Sequence, residues 1–129
     1  MSDYIFDAAE LTVQDYMRKV QSERVAITRP ETIPDRMVQI QKVGGIGDNF
    51  TDRPMITFGC FGKSRADAME FAEEIRYLAR QCEELGGLPV YKIRQVSLPS
   101  SRPDPDTGRQ RYQFTLEFKV RGKFKTPSP

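Results

Sequence analysis

The sequence predicts an α+β fold: a mostly antiparallel sheet of about four or five strands with a long α-helix and an N-terminal helix packed on one face. Two observations support this prediction. The chain alternates apolar and polar residues without interruption near its C-terminus, and a long central stretch has helical periodicity instead. The predicted order is α-β-β-β-α-β-β. We expect a single domain over residues 1–122, followed by a flexible C-terminal tail over residues 123–129.

The alternating stretch spans residues 111–122, RYQFTLEFKVRG. Side chains of a strand point alternately to the two faces of a sheet, whereas a helical period of 3.6 would scatter them. One parity is apolar and comprises Tyr112, Phe114, Leu116, Phe118 and Val120. The other parity is polar and comprises Gln113, Thr115, Glu117, Lys119 and Arg121. The strand therefore has an apolar face that must be covered and a polar face that is free to contact water or a partner.

Residues 64–85 predict the long helix that covers this apolar face. Ser64 is a suitable N-cap, with Asp67 three positions later, and Gly86 follows the last apolar residue. The apolar stripe of the helix comprises Ala68, Met69, Ala72, Ile75, Leu78, Ala79, Cys82 and Leu85.

The remaining elements are shorter. Residues 7–21 predict an amphipathic helix with Asp7 as its N-cap. Strands are predicted over residues 24–28, 37–43, 55–62 and 90–98. In the last of these the apolar parity changes midway, so we expect a bulge near Arg94 that brings Tyr91, Ile93, Val96 and Leu98 to one face.

Two long polar segments interrupt the strands. Residues 44–54, GGIGDNFTDRP, contain three glycines and predict a loop of about ten residues, which is long for a hairpin. Residues 99–109, PSSRPDPDTGR, contain three prolines and a turn signal at Asp106-Thr107-Gly108. We expect both loops to project from the sheet.

Composition excludes several classes of function. Charged residues are 29% of the 129 residues and the net charge is only +2, so the total charge does not favour a DNA-coating protein. No apolar run approaches the roughly 20 residues of a membrane helix, and the acidic N-terminus is unlike a secretory signal. The chain has no histidine, the commonest general base and metal ligand. We interpret Cys60 and Cys82 as buried thiols in a reducing compartment.

No motif predicts an enzyme, a cofactor or a metal site. Ser64 is better explained as a helix cap than as a nucleophile, because no histidine is present to activate it. Asp104 and Asp106 lack the additional acidic ligands of a calcium loop. The GGIG of residues 44–47 does not lead into a helix that could hold a phosphate. The aromatic residues of the last strand share a face with Leu116 and Val120, so core packing explains them better than base stacking.

Three stretches in order resemble tail terminator proteins of long flexible-tailed, siphovirus-type bacteriophages. They are a strand ending in VGG at residues 38–45, the strand TDRPMITFGCFG running into the helix SRADAMEFAEEIRYLARQC, and the segment VYKIRQVSLPSSRPDPDTGRQRYQFTLEFKVRG. The resemblance implies a non-enzymatic structural protein of the virion, assembled in the host cytoplasm. Such proteins form a ring, generally of six copies, that caps the head-proximal end of the tail tube.

The partners that this resemblance implies are other copies of the chain, the tail tube protein and a neck or head-completion protein. DNA only passes through the central opening, and no membrane is involved. We expect copies to meet through strand edges and helices, and the two long loops to contact the partners. The candidate interface residues are Asp48, Asn49, Asp52, Arg102, Asp104, Asp106 and Arg109.

Three alternatives remain open at this point. The chain could be another neck or tail component, such as a head-closure protein or a tube subunit, because these also form rings from sheets. A small nucleic-acid-binding domain is a second alternative and would bind with a steep salt dependence. The third is a hydrolase that uses a carboxylate alone, for which the sequence offers no paired acids.

Overall fold

A computed structural model describes residues 8–47 and 51–121 of the chain. Two helices and six strands follow one another as α1 Ala8–Val20, β1 Arg24–Ala26, β2 Met37–Gly47, β3 Thr51–Phe61, α2 Arg65–Arg80, β4 Glu84–Leu85, β5 Leu88–Ser101 and β6 Arg111–Arg121. Asp7, proposed above as the N-cap of α1, and the tail of residues 123–129 lie outside the described residues.

The six strands form one sheet in the order β1-β2-β3-β6-β5-β4. Every neighbouring pair is antiparallel except β1 and β2, which run parallel. The predicted α+β class and the element order are confirmed. The sheet has one strand more than the upper end of the predicted range because Glu84 and Leu85, assigned above to the helix, pair with Leu88 and Pro89 as β4.

The apolar face predicted for β6 is the centre of the core. Phe114, Leu116 and Phe118 are fully buried beneath α2, together with Ile56 and Phe58 of the neighbouring strand β3. The rings of Phe58 and Phe114 stack with centroids 4.8 Å apart. This cross-strand stacking fixes the register of the two strands, because a slip by one residue would move their apolar side chains to the opposite face.

Helix α2 begins as predicted, since the Ser64 side chain accepts a hydrogen bond from the Asp67 amide at 3.1 Å. It ends at Arg80 with Gln81 as its C-cap, rather than at residue 85. Gly86 and Gly87, which have positive φ angles, form the turn of the β4–β5 hairpin that follows. Met69 was predicted in the buried stripe but is exposed, and Phe71 is buried in its place. Ala68, Ala72, Ile75, Ala79, Cys82 and Leu85 are buried as predicted and Leu78 packs against the core, so the predicted face of α2 is confirmed except at Met69.

Helix α1 packs beside α2 over β1 and β2. Val13 and Met17 enter the core, and the Tyr16 hydroxyl donates to the Leu78 carbonyl of α2 at 2.7 Å. Gln14 is buried as well, and its amide donates to the Val25 carbonyl at 3.1 Å. Within the described residues, neither helix is long and apolar enough to cross a membrane.

The β2–β3 hairpin is longer than predicted. Residues 44–47 and 51–54 were expected in a loop, but they are paired strand. Of the predicted loop, only residues 48–50 lie outside the described part of the chain. Glycine permits this pairing, since Gly45 has a φ of +137° and a Cβ there would lie 2.6 Å from the Arg53 carbonyl oxygen. A register shift at Val43 marks the point where the strand leaves the core.

Strand β5 is irregular throughout. Its register with β6 shifts at three places, between Val90 and Lys92, Gln95 and Ser97, and Ser97 and Ser100. We predicted that one bulge would bring Tyr91, Ile93, Val96 and Leu98 to the core face. This prediction was wrong, because Tyr91 and Leu98 are exposed. Ile93 alone of the four predicted apolar residues is paired opposite a core residue of β6, Phe118.

Candidate interaction surfaces

The two predicted loops lie at opposite ends of the sheet. Strand β3 pairs Thr51 with Arg121 at one end and Phe61 with Arg111 at the other, so the ends are separated by about 33 Å at 3.3 Å per residue. Asp52 is at the first end, and Arg102, Asp104, Asp106 and Arg109 are at the second. Asp48 and Asn49 fall outside the described residues.

Asp104 holds its loop together from the inside. Its side chain is 2% exposed and accepts hydrogen bonds from Arg29, from the Thr107 hydroxyl at 2.8 Å and from the Asp106 amide at 3.2 Å. Burial alone would raise the pKa of Asp104, but the three donors outweigh it and keep the pKa below its ordinary value. Its Oδ atoms are therefore occupied within the chain.

Arg109 ties the same loop to the segment between β1 and β2. Its guanidinium donates to four backbone carbonyl oxygens, those of Ile33 at 2.9 Å, Pro34 at 2.9 Å, Asp35 at 3.2 Å and Gly62 at 3.5 Å. The segment that it holds covers a small second cluster formed by Ile33, Ala26, Met37 and Phe61. We call this end of the sheet, comprising residues 27–36 and 102–110, the clasped end.

Arg102 and Asp106 are the exposed ones among the four predicted interface residues at the clasped end. The Asp106 side chain is 70% exposed and forms an ion pair with Arg29 at 3.1 Å. Arg102 contributes its backbone, whose amide donates to the Arg111 carbonyl at 2.8 Å. Of the four predicted residues in this loop, these two present their side chains to solvent, whereas Asp104 and Arg109 direct theirs inward.

The opposite end of the sheet is open. From Gln41 to Gly47 every residue of β2 is exposed, including Val43 and Ile46. We call this extension, residues 41–47 with 51–54, the arm. A groove of about 450 Å³ lies between the arm and the start of α1, lined by Ala9, Thr12, Pro54, Leu85, Leu88 and Val120 among others. Asp52 lies in the arm at the edge of this groove.

The face of the sheet opposite the helices carries a group of cations near the arm. Strand parity and register place five cations on this face with one carboxylate, Glu117, among the described residues; the cations are Arg53, Lys92, Arg94, Lys119 and Arg121. Lys92 and Lys119 are directly opposite each other, and Arg94 pairs with Glu117 at 3.1 Å. The Arg94 hydrogen bond, aided by the charges of Arg53 and Lys92, keeps the pKa of Glu117 below its ordinary value. We call this group the basic sheet face.

The exposed side of α2 has the opposite character. Glu70, Glu73 and Glu74 are exposed there, and Met69 and Tyr77 are exposed beside them. Met69, Glu73 and Tyr77 are spaced four residues apart and form one stripe along the helix. Glu73 contacts Arg76 at 3.3 Å and Glu74 contacts Arg36 at 3.4 Å. We call these five residues the acidic helix face.

Reactive groups are sparse in the part of the chain that the structure describes. It contains no cluster of three or more His, Cys, Asp or Glu residues that could hold a metal ion. Cys60 and Cys82 are free and buried, as predicted. Burial raises the pKa of both thiols, that of Cys82 to about 11, so neither is a nucleophilic thiolate near neutral pH.

Sequence reasoning missed the basic sheet face and the partners of the inward loop residues. The cations of β5 and β6 do alternate with apolar residues in the sequence, but their grouping depends on the register shifts of β5. The contact of Arg29 with Asp104 spans 75 positions and has no local signal.

Comparison with models of known protein families yields no match, and comparison with curated proteins yields none either.

Proposed function

We propose that this chain is a structural virion protein that acts as a tail terminator. Copies form a ring, of six subunits by analogy with the family it resembles, on the head-proximal end of the phage tail tube. The ring stops the addition of tube subunits and provides the joint to the neck. Its partners are other copies of itself, the tube protein and a neck protein, while DNA passes through the opening.

The main observation in support is the arm. The β2 side of the hairpin continues past the core at Lys42 and is exposed along its whole length, with Val43 and Ile46 in contact with water. Exposed apolar residues on a strand next to an uncovered sheet face are typical of surfaces that bind another protein. The ordered stretches described above, from the β2 strand to the Pro/Asp loop, favour the tail terminator among ring-forming proteins.

Sedimentation and native mass spectrometry of the purified chain test this proposal, with the chain alone and mixed with tube subunits. We expect discrete closed oligomers and, on addition to polymerising tube subunits, shorter tubes. Long fibres formed by the chain alone would indicate a tube subunit instead. A chain that remains monomeric under both conditions, or that leaves tube length unchanged, contradicts the proposal.

A further inference from the structure

The edges of the sheet are poorly suited to joining copies, although the sequence led us to expect contacts there. Along β5, Pro89 and Pro99 lack an amide hydrogen, and three register shifts break the regular spacing of hydrogen-bonding groups. On β2 the Lys42 amide already donates to Glu10 of α1 at 2.8 Å. Prolines, bulges and covered edges are the means by which sheets prevent strand addition. The faces of the molecule remain as candidate contact surfaces.

We propose that the basic sheet face of one copy binds the acidic helix face of the next copy. This inference rests on the proposed ring and specifies its subunit interface. The two surfaces lie on opposite sides of a two-layer molecule, sheet on one side and α2 on the other. A contact between two different surfaces is heterologous, and it closes into a ring when the rotation between copies permits.

Charge supports this pairing. The basic sheet face holds five cations and one carboxylate, and Lys92 lies opposite Lys119 although like charges at such positions destabilise a sheet. The acidic helix face offers Glu70, together with Glu73 and Glu74, which are exposed but already contact Arg76 and Arg36. Within one copy Lys92 interacts favourably with Glu117 but is repelled by Lys119, whereas carboxylates from a neighbour would neutralise both lysines. Charges arranged in this way also set the orientation in which two copies meet.

Exposed apolar side chains favour a second copy over nucleic acid. Ile46 is 67% exposed and is paired opposite Arg53, on the same side of the sheet as the cations. Met69 and Tyr77 are exposed among the carboxylates of α2 and would cover it. The phosphate backbone of DNA would neutralise the cations but would leave Ile46 in contact with water, and it would approach the ionised Glu117.

Charge reversal tests the interface. In Lys92→Glu the new carboxylate faces Lys119, so the midpoint of unfolding stays unchanged or rises. Assembly should nevertheless weaken on the order of tenfold, measured as the protein concentration at which half the chains are in rings. Glu70→Lys should weaken assembly similarly. The double variant should recover most of the loss, because each interface then contains both reversed charges. Lys19→Glu on α1 makes the same charge change away from both faces and serves as the control.

The outcomes separate the two proposals. If wild-type rings form and Lys92→Glu and Glu70→Lys leave them unaffected, this interface is wrong and the ring itself stands. If the wild-type chain never assembles, both are wrong. If short duplex DNA binds the wild-type chain, is released by added salt and no longer binds Lys92→Glu, and the double variant does not recover assembly, the basic sheet face is a nucleic-acid surface instead.

Discussion

The two halves of strand β2 differ in what surrounds them. From Met37 to Ile40 the strand lies between β1 and β3 beneath α1, and its apolar side chains are buried. Beyond Gln41 the same strand enters the arm, where all its residues are exposed. The root of the hairpin thus contributes to the stability of one copy, whereas the tip is available to a partner. This contrast extends across the whole sheet, from the clasped end to the arm.

The clasped end shows how polar side chains can serve a structural purpose in a loop. Asp104 and Arg109 use their side chains to bind Arg29 and the backbone of residues 33–35. These contacts join segments distant in sequence, so they anchor a connection that has no regular structure of its own. A polar loop is therefore not by itself an interaction site, and the direction of its side chains decides between the two roles.

The two halves of β2 should differ most in how much stability is lost when an isoleucine in each is replaced by alanine. Ile40 is fully buried and Ile46 is 67% exposed. We expect Ile40→Ala to lower the free energy of unfolding by about 3 kcal/mol, because it leaves a cavity. Ile46→Ala should change it by less than about 0.5 kcal/mol. Urea denaturation followed by circular dichroism measures both, and equal losses would mean that the arm is covered within one copy.

A smaller effect should come from the clasped end. Arg109→Ala removes every donor that holds the carbonyls of Ile33, Pro34 and Asp35. We expect a loss of about 2 kcal/mol, since hydrogen bonds with a charged partner are stronger than neutral ones. Arg102→Ala in the same loop removes only an exposed side chain and is the matched control. An equally large loss of unfolding free energy in Arg102→Ala would show that the hydrogen bonds of the Arg109 side chain are not what stabilises this end of the sheet.

The smallest effect should depend on pH. Because the folded-state pKa of Asp104 is below its ordinary value of 3.8, its carboxylate stabilises the fold fully above that pH, and this contribution is lost as pH falls through the folded pKa. Asp104→Asn should cost about 1 kcal/mol at neutral pH. Its difference from the wild type should shrink in acid. Asp106→Asn, at an exposed ion pair, should stay close to the wild type throughout. A difference for Asp104→Asn that is constant with pH would contradict this role.

The sequence predicted the parts of the fold that depend on local periodicity. The alternation of β6 and the capped start of α2 at Ser64 both follow from residue spacing within one element. The predicted end of α2 and the predicted length of the hairpin were wrong. A glycine can end a strand, or it can let the strand continue where a neighbouring backbone is too close for a side chain. At Gly45 the strand continues, because the Arg53 backbone on the neighbouring strand leaves no room for a Cβ.

By itself the sequence determined the fold class, the strand with one apolar face and the helix that covers it, because a period of 2 or 3.6 is a property of consecutive residues. Tertiary structure alone decided which loop residues turn inward and which cations share a face. Arg29 reaches Asp104 across 75 positions, and Lys92 meets Lys119 only through the shifted register of β5. Such contacts depend on how strands pair, which no local pattern of residues specifies.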